Sequence, residues 1–443
     1  MGSFLRLSPK TVRLLGRASE KLLEPEPPVH HPTHARPARL PSLTGLRFVA
    51  ASGVIYTHIM VILDPFLVVS LGPEVWVGGA SVSLFFILSG YMLTYSSRPS
   101  DTAHAFWRRR AVKILPNHAV TWIVVVAVLA CTGAISTRTA PGITAHVSSL
   151  FLLNTWVPSH TFVSAGNPVS WSLAAEGFFY LLFPALLPRV ERLSKRGLLL
   201  GAGTAVAAVW VLPAFCGAVV NPAGLLFPEY WFLYVLPLSR LPEFVLGMLV
   251  ARMPQEGIRL PRTGVVAAAL GVVSTLVMYS SVLPHRFMYA AATVLPLVLL
   301  VHAVAQLDVR EKPSLLRTRP FVLLGEISYA TYLVHFLVLG LVFLALTARG
   351  WSPSASVLSA LPLVFAASWA LHVGVERPCV RRWSEHRPHR PHRPHRPHRS
   401  AALEDVPGPA RRPGTQESAA EGNAPAPEGP PRQSGPPSTS TAE

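Results

Sequence analysis

Arg47 and His58 stand eleven residues apart in the run GLRFVAASGVIYTH, which has no other charged residue. In a helix, eleven residues turn the chain through about 1100°, three turns plus roughly 20°, and advance it about 16 Å, so both side chains share one face. A ring that can take a proton near neutral pH is what an alcohol needs when it attacks an acyl carbonyl. The competing reading is a neutral core histidine bonded to a neighbouring hydroxyl, and Tyr56 and Thr57 flank it. A cation on the same face weakens that alternative.

Other groups join them at helical spacing. In WSLAAEGFFYLLFP, Ser172, Glu176 and Tyr180 recur every four residues and stack along one face. Glu176 has no partner in its own helix, so Arg240, Arg47 or a histidine must neutralise it across the bundle, or its pKa must rise. Arg240 and Glu243, at i and i+3, form a self-contained ion pair on this reading. In LLGEISYATYLVHF, Ser328 and His335 are seven residues apart with Tyr332 one turn before His335, and these groups could line the same cavity as His58. Arg109, Arg110 and Lys113 put three cations on adjacent turns. Topology alone explains two or three positive charges there, but such a cluster also suits the phosphates of a donor such as an acyl coenzyme A. In GGASVSLFFILSGYMLTYS, the small residues Gly79, Ser81, Ser83, Ser89 and Gly90 suit close helix packing. Ser89 as a covalent nucleophile is the alternative, although no nucleophile-elbow pattern surrounds it.

The elements that must position these groups are membrane helices. Half of the 443 residues are apolar and 14% are charged, against about 25% charged in an ordinary soluble protein. Between Pro41 and Val375 there are only 21 Lys/Arg and 11 Asp/Glu. A soluble globule could not cover its surface with so little polarity, so the composition excludes soluble globular folds, coiled coils and disulfide scaffolds. Apolar runs near 46–70, 75–97, 114–134, 168–188, 197–219, 230–252, 263–283, 286–306, 321–346 and 352–374 predict about ten transmembrane helices. With the N-terminus cytoplasmic, the inner loops contain sixteen Lys/Arg and the outer loops only Arg138, Arg286 and Arg349. That split places both termini in the cytoplasm of a multi-pass plasma-membrane protein.

The outer connection from Ile135 to Asn167 reads as a re-entrant or surface-lying segment. Residues 1–40 form a basic leader, amphipathic and then Pro/His-rich. The helical domain covers 41–378, and 379–443, with its HRPHRPHRPHRPHR run, reads as a disordered tail. The formal charge of +17 sits in short loops and tails beside apolar runs, which points to lipid and topology and away from nucleic acid. Cys131, Cys216 and Cys379 are scattered, with neither metal spacing nor a disulfide framework.

Taken together, the segments resemble membrane-bound acyltransferase family 3, multi-span O-acyltransferases of bacterial surface polysaccharides and macrolide antibiotics. The resemblance runs in order across residues 40–378: LPSLTGLRFVAASGVIYTH, GGASVSLFFILSGYML, FWRRRAVKILP, WSLAAEGFFYLLFP, FVLGM and LGEISYATYLVH. It implies catalytic roles for Arg47, His58 and Glu176, donor binding by Arg109, Arg110 and Lys113, and a substrate cavity with Ser89, Ser172, Tyr332 and His335. Lys113 departs from the usual arginine, keeping the charge but losing a bidentate fork. The implied reaction moves an acetyl or other short acyl group from acyl coenzyme A, a co-substrate and not a resident cofactor, to a hydroxyl. The opening LPSLTGLRFVAA looks most like the antibiotic-modifying branch, so a macrolide or related metabolite is the first acceptor class and a surface glycan the second.

Two other function classes compete. A transporter or flippase would suit ten helices with midplane charges, but the first- and fourth-helix motifs do not recur in the second half, as paired half-repeats would require. A non-catalytic scaffold would have no use for Arg47, His58 and Glu176, when a charge at the centre of a span costs about 2 to 3 kcal/mol or more.

Overall fold

The computed structural model describes residues 39–98, 100–133, 139–261 and 264–383. These form helices and no strand, the outcome required of a chain that satisfies its backbone polar groups without water. The main helices are α1 (Pro41–Leu63), α2 (Pro73–Tyr95), α3 (Ala103–Thr132), α4 (Trp171–Glu191) and α5 (Lys195–Phe215). They continue with α6 (Pro237–Arg252), α7 (Val265–Val282), α8 (Ala291–Val309), α9 (Arg319–Thr347) and α10 (Pro353–Leu371). Each expected span falls on one of them. Among the described residues nine are long and apolar enough, with their short extensions, to cross a bilayer, and the shorter apolar run of α7 covers Val265–Met278. Leu200, Val211, Val266, Leu344 and Leu358 are exposed on the outside, as lipid-facing residues are. The chain is a polytopic all-α membrane protein.

Three boundaries differ from expectation for local reasons. α1 begins at Pro41 and stops at Leu63, because Pro65 disfavours helical backbone at Asp64, which sits at φ −137° and ψ 89°. Asp64 is exposed and accepts a hydrogen bond from the Phe66 N–H at 3.0 Å. Glu326 is exposed as well. α3 starts at Ala103, where the Thr102 hydroxyl accepts from the Ala105 N–H at 3.2 Å, so the basic cluster is helical and not part of a loop. After α10 the helix passes through a π-turn, His372–Glu376, into Arg377–Trp383. Residues 379–383, expected in the tail, are therefore helical. Residues 1–38 of the leader and 384–443 of the tail, including the His-Arg-Pro run, lie outside the described residues.

Lipid is as apolar as a leucine side chain, so helices in a bilayer associate by close packing and polar ties. α2, α6 and α8 are the most buried and form the centre. α2 and α6 touch backbone to backbone: a Cβ on Gly90 would overlap the Phe244 carbonyl oxygen. Phe179 of α4 stacks on Phe244 at 5.0 Å and meets Phe86 of α2 edge-on at 5.1 Å. Polar ties fix the rest. Asp308 of α8 accepts from the backbone N–H and the hydroxyl of Ser42, each at 2.7 Å, which places a carboxylate at the positive end of α1.

The long connection before α4 is folded over its described residues, 139–167. It forms helix Ala140–Leu150 and shorter turns at Asn154–Trp156 and His160–Val163. Trp122 of α3 donates to the His146 carbonyl at 3.0 Å, and Trp231 donates to the Thr155 carbonyl at 2.9 Å. Nδ1 of His146 accepts from the Gly166 N–H at 2.9 Å, and burial pushes this histidine below its ordinary pKa.

Candidate active site

α1 and α9 pack together, and Gly325 permits the approach: a Cβ there would overlap the Thr44 carbonyl oxygen. The faces brought together carry Arg47 and His58 from α1 and Ser328, Tyr332 and His335 from α9. His335 is fully buried, and its Nε2 lies 3.1 Å from Nδ1 of His58, with ring centroids 5.0 Å apart. Nδ1 of His58 also lies 2.9 Å from the Val54 carbonyl. A carbonyl only accepts, so in the neutral ring Nδ1 of His58 carries the proton and Nε2 carries the lone pair. Nε2 of His58 makes no hydrogen bond among the described residues. The flanking Thr57 hydroxyl does not satisfy the ring, because it donates to the Glu74 carbonyl at 2.5 Å.

One turn before His335 on α9, Tyr332 lines a cavity of about 40 Å³ together with Arg47, Ser172, Glu176 and Ser328, with Phe85 and Phe86 forming apolar wall; His58, His335 and Ser89 are not part of its lining. It has room for one or two water-sized groups, such as a carbonyl oxygen. Tyr332 bonds the Ser172 hydroxyl and lies 3.0 Å from the Val169 carbonyl, which fixes α9 to the start of α4. Glu176 is held as its i, i+4 spacing requires: Tyr180 donates to it, and the Ser89 hydroxyl lies 3.1 Å from the same oxygen and 3.2 Å from the Tyr180 hydroxyl. Hydroxyl donors thus take the place of the expected ion pair. Among the described residues, neither Arg240 nor a histidine is the partner of Glu176. Arg47 shares the cavity with the carboxylate but forms no ion pair with it.

Arg240 and Glu243 pair with each other at 2.8 Å, both fully buried. Arg240 donates further to the Ser83 hydroxyl at 2.8 Å and to the Tyr289 carbonyl at 3.1 Å, and its guanidinium lies over Phe86 and Tyr234. The self-contained pair expected from spacing is present. Trp171 is buried against Tyr234, with ring centroids 4.5 Å apart.

The basic cluster divides. Arg109 and Arg110, with Arg98, line a cleft of about 430 Å³ that also contains Ser96, Thr102, Asp101 and Glu191. Arg109 pairs with Asp101 at 2.7 Å. Arg110 lies over the Phe106 and Tyr180 rings and so joins this cleft to the group that holds Glu176. Lys113 is not part of the cleft lining. It lies in the combined field of Arg47, Arg110, Glu376 and Glu176. Glu376 belongs to a second buried cluster, accepting from Asn117 at 3.0 Å with His372 at 3.2 Å. The sequence reading missed Glu376 and Asn117. The signal was the carboxylate in GVERP, two residues past the end assigned to the last span. Among the described residues, no group of three His, Cys, Asp or Glu side chains is arranged to hold a metal ion.

The chain is similar to known proteins along most of its length. Residues 40–373 match the family described as Acyltransferase domain. Acyltransferase MdmB of Streptomyces mycarofaciens is 36% identical over 372 residues, covering 80% of this chain and 95% of that protein. Nodulation protein 10 of Rhizobium leguminosarum bv. viciae is 26% identical over 68% of this chain and 82% of its own length. Peptidoglycan O-acetyltransferase OatA of Listeria monocytogenes is 31% identical over 33% of this chain and 24% of its own. No solved structure matches. A helical membrane bundle matched along residues 40–373 by one family identifies the chain as a member of the acyltransferase family and as a multi-pass membrane O-acyltransferase.

Proposed function

We propose that the protein transfers an acetyl or other short acyl group from acyl coenzyme A to a hydroxyl of a secondary metabolite such as a macrolide, or of a surface glycan. The observation that carries the reading is that Nε2 of His58 makes no hydrogen bond among the described residues, on the same helix that brings Arg47 to the cavity of Glu176 and Tyr332. On this reading His58 takes the proton of the acceptor hydroxyl. Arg47 stabilises the oxyanion that forms as the hydroxyl oxygen adds to the thioester carbonyl. Glu176, which lines the cavity, is held there by the Ser89 and Tyr180 hydroxyls. The cleft of Arg98, Arg109 and Arg110 receives the donor's phosphates, since guanidinium forks match phosphate oxygens in pairs. Phe106 and Phe183, in the same cleft, offer apolar contact to the acyl and pantetheine chain.

The sixteen-to-three distribution of Lys/Arg supports a plasma-membrane orientation with both termini, and so the donor cleft, on the cytoplasmic side. The name of the peptidoglycan-directed relative supports the glycan as acceptor, and the resemblance of the first helix supports the metabolite. Incubating purified protein in detergent with radiolabelled acetyl, propionyl and longer acyl coenzyme A and with candidate acceptors tests the reading. Label must pass to an acceptor hydroxyl, and His58→Ala must stop it. Donor use at the wild-type rate in that variant removes His58 from the mechanism, and the failure of every acyl coenzyme A as donor removes the donor assignment.

A further inference from the structure

His335 has two ring nitrogens and both are engaged. Nδ1 lies 2.7 Å from the Tyr332 carbonyl and 3.2 Å from the Thr331 carbonyl. Carbonyls only accept, so Nδ1 carries the proton and Nε2 must be an acceptor. The group facing that acceptor is Nδ1 of His58, at 3.1 Å, which by its contact with the Val54 carbonyl carries a proton of its own. The polarity of the chain is therefore set from one end to the other. The Tyr332 carbonyl accepts from His335, His335 accepts from His58, and the His58 lone pair is directed to Nε2. The Val54 carbonyl is a weak anchor on its own, because at i−4 it already accepts the helix's regular backbone bond. Around His335 the rings of Tyr332 and His58 are in contact, and among the described residues no charged side chain is bonded to it.

We infer that His335 is the positioning residue of the reaction, an acceptor that sets the tautomer of His58 and shares the charge that His58 gains. The inference rests on His58 being the base proposed above. In the forward step the acceptor's O–H bond breaks, its oxygen bonds to the thioester carbonyl carbon and its proton moves to Nε2 of His58. The imidazolium's Nδ1–H bond to His335 becomes charge-assisted and so stronger than in the resting state. When the tetrahedral intermediate collapses, the C–S bond breaks and the proton on Nε2 passes to the departing sulfur, leaving an ester, a thiol and neutral His58. His335 ends unchanged. Its contribution appears in the charged state and not in substrate binding.

The test uses two substitutions that differ in where they put an acceptor. In His335→Gln the side-chain oxygen reaches the position of Nε2. In His335→Asn it reaches only that of Nδ1, short of His58. Both are polar and are measured on full-length protein, per inserted and monodisperse molecule. The expected result is a kcat lowered roughly 10- to 100-fold in His335→Asn, a fraction of what a general base contributes, with KM for acyl coenzyme A and acceptor unchanged and kcat largely restored in His335→Gln. Equal kcat in the two variants, whether both high or both low, overturns the inference, as does a loss that lies in KM. Measured alongside, His58→Ala separates the two claims. If it is inactive while His335→Asn turns over like wild type, the base stands and only the positioning role falls. If His58→Ala is active, the proposed base itself is wrong.

Discussion

Arg240 and Glu243 on α6 and Arg47 and Glu176 on α1 and α4 are the same two residue types inside the same bundle, held in opposite ways. The α6 pair is fully buried, joined at 2.8 Å, and backed by Ser83, the Tyr289 carbonyl and two aromatic rings. Arg47 and Glu176 face a shared cavity without pairing, and the carboxylate is held by hydroxyls. A charge that is removed from water and fully paired has its interactions used up in holding helices together. A charge left facing a cavity keeps some of its field for whatever enters. The first arrangement is architecture, and the second is the one suited to stabilising charge that appears during a reaction.

The contrast breaks most sharply at His58. Its replacement by Ala should lower turnover by about 10² to 10⁴ while leaving insertion and thermal unfolding near wild type. Detergent-solubilised protein assayed for acyl transfer and for melting gives both readings, and a melting loss that tracks the activity loss would merge the two regions into one structural role.

On α6 the pattern should invert. Glu243→Ala strands the Arg240 cation and should cost about 3 to 5 kcal/mol of stability, seen as poor insertion or a much lower melting temperature. The double change Arg240→Met with Glu243→Leu removes both charges and should recover most of that stability together with activity. If the stable double variant is inactive, the α6 pair belongs to the chemistry after all.

A smaller effect is expected at the cleft. Arg109→Gln with Arg110→Gln should raise KM for acyl coenzyme A about tenfold or more, near the worth of one charged hydrogen bond, and leave the acceptor's KM alone. Steady-state kinetics with each substrate varied in turn decides this, and a selective loss on the acceptor side contradicts the donor assignment.

The least effect should come from the end of the chain. The family match ends at residue 373 and every candidate group lies before Trp383. Truncation after Trp383 should preserve activity per inserted molecule. An inactive truncation, with chelator-sensitive activity in the full chain, would show that the repeated histidines serve the enzyme through a metal.

What could be read along the chain was whatever depends on short-range spacing. Hydropathy and the placement of Lys/Arg determined a helical membrane protein, because the bilayer imposes the same length and backbone requirement on every span. The helical period determined that Ser172, Glu176 and Tyr180 share a face, that Arg47 and His58 do, and that Arg240 and Glu243 pair. The tertiary structure decided which faces meet. Spacing along α9 does not say that Nε2 of His335 reaches Nδ1 of His58, 277 positions away; the close approach of α1 and α9 at Gly325 does. Lys113, one turn from Arg110, stays outside the cleft that Arg109 and Arg110 line, and Glu376 enters the picture because the π-turn after α10 brings it to Asn117. The physical reason is one of range. Periodicity is enforced by hydrogen bonds four residues apart, whereas the choice of neighbouring faces depends on backbone approach and polar ties between residues hundreds of positions apart.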